Sequence, residues 1–227
     1  MKRLLSALLV LSVAACSEPP LEDVTAYYAK PEGIAFKVEA AANGDARVTA
    51  GDQVMIHKGS AEYLVTSDAT GAYAGRVADY VAVLDEAPSS GPFAGQSRPQ
   101  PDYVTAEDGA ATVAGMPGVK WKIHPKDVPS LRAIDAVVSD DPALAVLGTG
   151  VAMHAKLLIE RNSRGLGAKP GNLETAMMAL YNKGAVLRFG TVFELERIEK
   201  GAIPADRFRL PPVLDKAALK KRMASGV

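Results

Sequence analysis

The chain of 227 residues has a single cysteine, Cys16, so no disulfide can form within it and the fold rests on packing alone. Its three histidines, His57, His124 and His154, lie far apart and form no H-x-x-x-H or H-E-x-x-H pattern. A zinc or iron site needs several nitrogen or sulfur ligands brought together, and none is expected. Lys plus Arg and Asp plus Glu number 26 each, which leaves no basic excess to hold a nucleic-acid backbone. No G-x-S-x-G marks a hydrolase elbow. Gly148-Thr149-Gly150 lies inside a helical pattern and Arg164-Gly165-Leu166-Gly167 follows one, whereas a phosphate loop follows a strand and opens a helix. Beyond the first sixteen residues no stretch approaches 18 unbroken apolar positions, so no later membrane span is expected. No cluster of titratable residues can be assembled; neither an enzyme nor a cofactor is expected.

What the chain does carry begins at its start. Lys2 and Arg3 precede an almost wholly apolar stretch, Leu4 to Ala15, which ends in the small residues Val13-Ala14-Ala15. That order predicts a secretion signal over residues 1–15. As a helix its apolar part spans only ~18 Å, against a hydrocarbon core of ~30 Å, too short for a permanent anchor. With Cys16 directly behind it, the stretch resembles the lipobox of bacterial lipoproteins, with Val13 where Leu is usual. The resemblance implies cleavage before Cys16, a diacylglycerol joined to its sulfur and an acyl chain such as palmitate on its nitrogen. Several chains hold a protein durably to a membrane where one holds it only marginally. Ser17 in place of Asp implies, by the same resemblance, sorting to the outer membrane, facing the periplasm.

Residues 16–30, with Pro19 and Pro20, read as a lipidated tether with a short helical piece near Leu21–Lys30. Residues 31–227 then read as one domain, long enough for a real core. From Gly33 the pattern has period two. Ile34, Phe36 and Val38 alternate with Lys37 and Glu39, Asn43-Gly44 turns the chain, and strands follow at Ala46–Ala50, Gln53–Lys58, Ala61–Ser67 and within Ala72–Asp85. Short turns make these antiparallel neighbours. Ile34, Phe36, Val38, Val54, Ile56, Tyr63 and Val65 are expected to form one apolar face. Residues 87–101 read as a loop or flap. Strand pattern resumes with a turn at Asp108-Gly109, a short strand Ala111–Ala114, the Val119/Trp121/Ile123 face and Leu131–Ser139.

At Ser139-Asp140-Asp141-Pro142 the period changes to helical, the acids serving as an N-terminal cap rather than a catalytic pair. The predicted helix runs to about Asn162, with Leu144, Leu147, Val151, Ala155 and Leu158 on one stripe. Gly148 and Gly150 within it mark close approach to a sheet or a kink. Asn172 is expected to cap a second helix to Asn182, before strands at Ala185–Phe189 and Thr191–Ile198 and a short helix capped by Asp215. Lys216, Lys220, Lys221 and Arg222 on that last helix read as a solvated face, or as a contact for lipid phosphates or an acidic partner. The expected class is α+β and mostly antiparallel: an up-and-down open (half) barrel with two mid-chain helices packed against or closing its concave face.

Several stretches of the second half carry a further likeness: Thr112-Val113-Ala114-Gly115, the Trp121 strand, Val137 to Leu144, Leu187-Arg188-Phe189, and Ile203-Pro204 with Phe208-Arg209-Leu210-Pro211. They resemble an uncharacterised family of bacterial envelope lipoproteins related to the LolA/LolB lipoprotein carriers. The resemblance implies an incomplete antiparallel barrel, no catalytic residues, and an apolar concave face that binds an acyl chain, a lipoprotein or another hydrophobic partner. On that reading Ile34, Phe36, Val38, Val54, Ile56, Tyr63, Val65, Trp121 and Ile123 line a hydrophobic ligand site. The alternative is a structural or assembly lipoprotein of the envelope, in which the same residues form a filled core and partners bind as proteins.

One outcome depends on the leader alone. Cys16→Ala is expected to abolish lipid attachment, because no second sulfur exists to replace it. Palmitate labelling followed by fractionation checks this: label retained on Cys16→Ala excludes the lipobox, and normal processing with soluble release points to a plain secretion signal.

Overall fold

The computed structural model describes residues 21–31, 33–86, 101–127, 132–165 and 171–225. Cys16, the 87–100 segment and the side chain of Ile34 lie outside the described residues. The chain is α+β. Its strands are β1 (Val24–Lys30), β2 (Gly33–Ala40), β3 (Ala46–Ala50), β4 (Gln53–Lys58), β5 (Ala61–Asp68), β6 (Gly71–Arg76), β7 (Tyr103–Val113), β8 (Met116–Pro125), β9 (Ile134–Ser139), β10 (Ala185–Phe189), β11 (Phe193–Lys200) and β12 (Val213–Leu214). The helices are α1 (Val77–Glu86), α2 (Ala145–Gly165), α3 (Asn172–Tyr181) and α4 (Lys216–Ser225).

The twelve described strands form one sheet, which among the described residues does not close, in the order β12-β6-β5-β4-β3-β2-β1-β11-β10-β9-β8-β7. Two meanders, β1–β6 and β7–β11, are joined by the antiparallel pairing of β1 with β11, and among the described strands only β12 runs parallel to its neighbour. The Asn43-Gly44 hairpin forms as its sequence requires: Ala41 N–H donates to Asp45 O at 2.8 Å, and Gly44 N–H to Ala41 O at 2.9 Å.

Three expectations are corrected. The segment 24–30 is neither tether nor helix. Val24, Ala26 and Tyr28 are buried in alternation with Thr25, Tyr27 and Ala29, and the strand sits mid-sheet between β2 and β11. Val77–Glu86 is a helix where a strand was expected. Its β-branched valines suit a strand, but packing against α4, β5 and β6 decides, with Asp79 in the first turn complementing the helix dipole. Asp108-Gly109 is not a turn; it is a bulge inside one eleven-residue strand, β7, where Gly109 takes φ of 91°.

Helix α2 is the central element of one face. A single 3-10 turn, Pro142–Leu144, leads into it, and Asp141 Oδ1 accepts the Ala143 N–H at 2.9 Å as the predicted cap. Its length and hydropathy would suit a membrane span, yet Leu147, Val151, Met153 and Leu157 are buried against the rest of the protein. Leu158, expected inward, is 37% exposed. Leu144, Leu147, Val151 and Ala155 of the expected stripe are buried, and toward the end of the helix the inward positions are Gly150, His154 and Leu157, of which Gly and His carry no apolar signal. The helix is continuous through both glycines, so they serve close approach and not a kink. A Cβ on Gly148 would stand 3.1 Å from the Ala185 backbone, and one on Gly150 only 2.7 Å from Val38 Cγ1. Helix α3 starts one residue earlier than expected: Gly171 is its N-cap, and the Gly171 N–H donates to Glu174 Oε2 at 2.9 Å.

The opposite face is covered by the segment between β11 and β12. Asp23 accepts the N–H groups of Ala42 and Ile203, both at 2.8 Å, and those bonds hold its carboxyl below the usual range. Arg47 Nη1 donates to Arg207 O at 3.0 Å and Lys58 Nζ to Phe208 O at 3.2 Å. Arg207 grips buried Glu39 with Nε at 3.0 Å and Nη2 at 2.6 Å. Burial raises the Glu39 pKa, but hydrogen bonding to Arg207 and the charge of Lys37 outweigh it and hold the carboxyl below its ordinary value.

Gly150→Val tests the helix seat. Overpacking against Val38 is expected to cost ~3 kcal/mol, more than any helix propensity gained on replacing glycine. A urea midpoint unchanged from wild type would show that α2 is not seated this closely.

Candidate functional site: the helix-covered face of the sheet

Pairing register decides which side chains share a face, because directly opposed residues point the same way. Val38 faces Val48, Val48 faces Met55, Met55 faces Leu64, and Leu64 faces Gly75. Val38, Val48 and Met55, with Phe36 and Tyr28, lie under α2, and Leu64 and Gly75 continue the row under α1 and α4. Arg47, Ile56, Tyr63 and Arg76 form a row on the other face, as do Val54, Val65 and Ala74. The nine predicted lining residues are therefore not one surface. Phe36 and Val38 lie on the helix-covered face, whereas the register of Val54, Ile56, Tyr63 and Val65 belongs to the other, although Val54 and Val65 still border the larger cleft. The cause is turn length. The two-residue turns Gly51-Asp52 and Gly59-Ser60 each shift the inward positions between even and odd numbers, and the longer β2–β3 turn does not. Counting residues through those turns identifies Met55 and Leu64 as the inward pair. Ile56 is buried at 1% exposure because the segment gripped by Arg47 and Lys58 covers it.

In the second meander Ile123 is fully buried, and Trp121, on the same face of β8, is half-buried with the Lys183 ammonium 4.3 Å from its ring centroid. Ile123 and Phe36 belong to one continuous core, and Trp121 packs against its margin.

The centre of that core is aromatic. Tyr28 stacks on Phe36 with centroids 4.5 Å apart, and Phe193 meets their rings edge-on at 5.5 and 5.2 Å. Tyr28 is fully buried; its hydroxyl donates to Val186 O at 3.1 Å, and burial, with the Tyr181 phenol adding, drives its pKa far up. From α2, the His154 ring lies 4.7 Å from Phe36, 7% exposed, and its Nδ1 has no hydrogen-bond partner. With the glycines of α2 in contact with Val38 and Ala185, the layer between helix and sheet is filled.

Open space lies at the two ends of α2. Near its start a cleft of about 470 Å³ is bordered by Ser139, Asp141, Thr149, Tyr181 and Gly184. Toward its end a cleft of about 830 Å³ lies over β4–β6, between α1, α2 and α4. Leu64, Tyr73, Tyr80, Leu219 and Met223 give it apolar wall, and Gln53, Thr66, Asp68, Arg161 and Arg222 give it polar rim. Arg222 is tied to Asp68 by Nε at 2.5 Å and Nη2 at 2.8 Å and lies 4.7 Å from the Tyr73 ring; its hydrogen bonds hold the Asp68 carboxyl far below the usual range. Lys216 and Lys220 both grip Glu86 on α1, lowering its pKa to about 2, so the basic face of α4 is largely answered within the protein. Among the described residues no three of His, Cys, Asp or Glu come together as a metal site.

Burial pushes the His154 pKa down to about 4, so the unfolded chain takes up a proton more readily than the folded one. The stability contributed by a neutral His154 is complete above pH 6.5 and is lost as pH falls toward 4, at up to ~1.4 kcal/mol per pH unit. His154→Leu is expected to flatten that part of the stability profile in urea titrations between pH 7 and pH 4. Identical slopes for wild type and variant would show that the ring is solvated or partnered.

No family model matches the chain, and no curated protein matches it.

Proposed function

We propose that the protein is a lipid-anchored envelope protein, held at the outer membrane by Cys16 and facing the periplasm, that binds a hydrophobic ligand on the helix-covered face of an open, half-barrel sheet. The observation that carries this reading is the 830 Å³ cleft, a size typical of small-molecule sites, which combines apolar walls with a few polar groups. The half-barrel reading is supported by the way β7 approaches β11, four strands away in the sheet order, while α1 and α4 lie at the opposite, β6–β12 end. On this reading Phe36, Val38 and Ile123 form the packed floor that supports the site, and the ligand lies beside α2 rather than under it. The resemblance to carriers of the LolA/LolB kind agrees with this architecture.

One observation favours a second reading, a structural or assembly lipoprotein acting through protein contacts: the filled layer between α2 and the sheet. Native mass spectrometry of gently purified protein separates the two. A reproducible adduct of acyl-chain mass is expected. Consistently empty protein, together with a stoichiometric protein adduct on crosslinking in cells, overturns ligand binding in favour of assembly.

A further inference from the structure

The larger cleft contains one guanidinium whose charge the described residues leave unanswered. Arg161, near the end of α2, donates from Nη1 to Gln53 Oε1 at 3.0 Å. A guanidinium has no acceptor, so the Gln53 amide must turn its oxygen toward Arg161. Its nitrogen then faces elsewhere; it is shut off from solvent and has no hydrogen-bond partner. The two arginines of the cleft differ. Arg222 is neutralised by Asp68 and lies against Tyr73. Arg161 has a neutral partner and, among the described residues, forms no ion pair; Asp52, at the exposed β3–β4 turn on the same cleft, does not reach it. Arg161 itself is exposed, so this cation stands at the mouth, while Leu64 and Leu219, both buried, lie further in. A charged head that stays near water and a chain that leaves it match this division.

We propose that the cleft binds a single-chain amphiphile with an oxyanion head, a fatty-acid carboxylate or a monoalkyl phosphate. The oxyanion accepts from the guanidinium nitrogens of Arg161 that Gln53 does not engage, and the chain runs over Leu64 toward Tyr80 and Leu219. The inference rests on the ligand-binding reading above and specifies the ligand class and the residues that select it. Head recognition is a charge-assisted hydrogen bond at a partly desolvated site, which an uncharged head of the same chain length cannot make.

The test titrates the full chain, held in amphipol, with radiolabelled dodecanoate, dodecyl phosphate and dodecan-1-ol, with amphipol alone as blank. At least one of the two anions is expected to bind ten-fold or more tightly than the alcohol, and their ranking tells carboxylate from phosphate. Arg161→Gln is expected to bring the anions to the alcohol's affinity and leave the alcohol unchanged. Gln53→Glu, which answers Arg161 internally, is expected to do the same. Thr66→Trp, at an exposed wall position, is expected to weaken all three ligands without lowering the melting temperature. Equal binding of anions and alcohol by wild type overturns the oxyanion head but leaves hydrophobic binding standing. Binding that Thr66→Trp does not change overturns the location. Failure of all three ligands to bind overturns this inference together with the reading it rests on.

Discussion

The backbone ladder between β1 and β11 joins two meanders that, among the described residues, share no other strand pairing. Everything on the helix-covered face depends on that joint. Tyr28 of β1 reaches its partner carbonyl on β10, Phe193 of β11 meets Phe36 of β2, and α2 contacts strands from both halves. Asp23, at the entry to β1, is pinned from both sides by Ala42 and Ile203, so the joint is fixed at its end as well as along its length. Buried Glu39 does the same for the outer face: its paired guanidinium belongs to the segment that crosses the sheet. Such a carboxylate is retained only where the partner is held in place, since leaving it unpaired would bury a bare charge.

Much of this architecture was legible in the residues. Period-two alternation and short turns located β2 to β5 and fixed them as antiparallel neighbours, and the Asp141-Pro142 cap located the start of the helical run. What escaped had physical causes. β1 follows two prolines and a scatter of acids, and its alternation of Val24, Ala26 and Tyr28 is short. α1 is rich in β-branched residues, and its helical state comes from packing against α4. The face assignment failed because alternation within a strand does not say which parity points inward on the next one; two-residue turns reverse it. The cleft was the least legible, since Gln53, Arg161 and Leu219 come from three distant elements and no spacing in the chain links them.

The two faces of the sheet solve different problems. Under α2, glycines allow helix and sheet to touch, and the aromatic cluster fills the middle. That close packing makes His154 costly to protonate. Between α1, α2 and α4, each of which touches the sheet, the same face leaves room, and there polar groups have partners only in part. Filled core and open cleft therefore do not compete as descriptions of the protein; they are neighbouring regions of one face, and helix contact distance separates them.

The position of β1 has a consequence for how the chain assembles. Val24 pairs with Lys200, so the strand formed from the earliest described residues finds one of its two neighbours only after nearly the whole chain is present. A chain emerging N-terminus first can zip β1 through β6 locally, yet it then carries an open, largely apolar strand edge until residues 193–200 arrive. Loop closure over such a span is slow, and an unpaired edge is a template for intermolecular pairing. Among the described strand pairings the β1–β11 ladder spans the greatest sequence separation, so it is the one whose loop closure costs most.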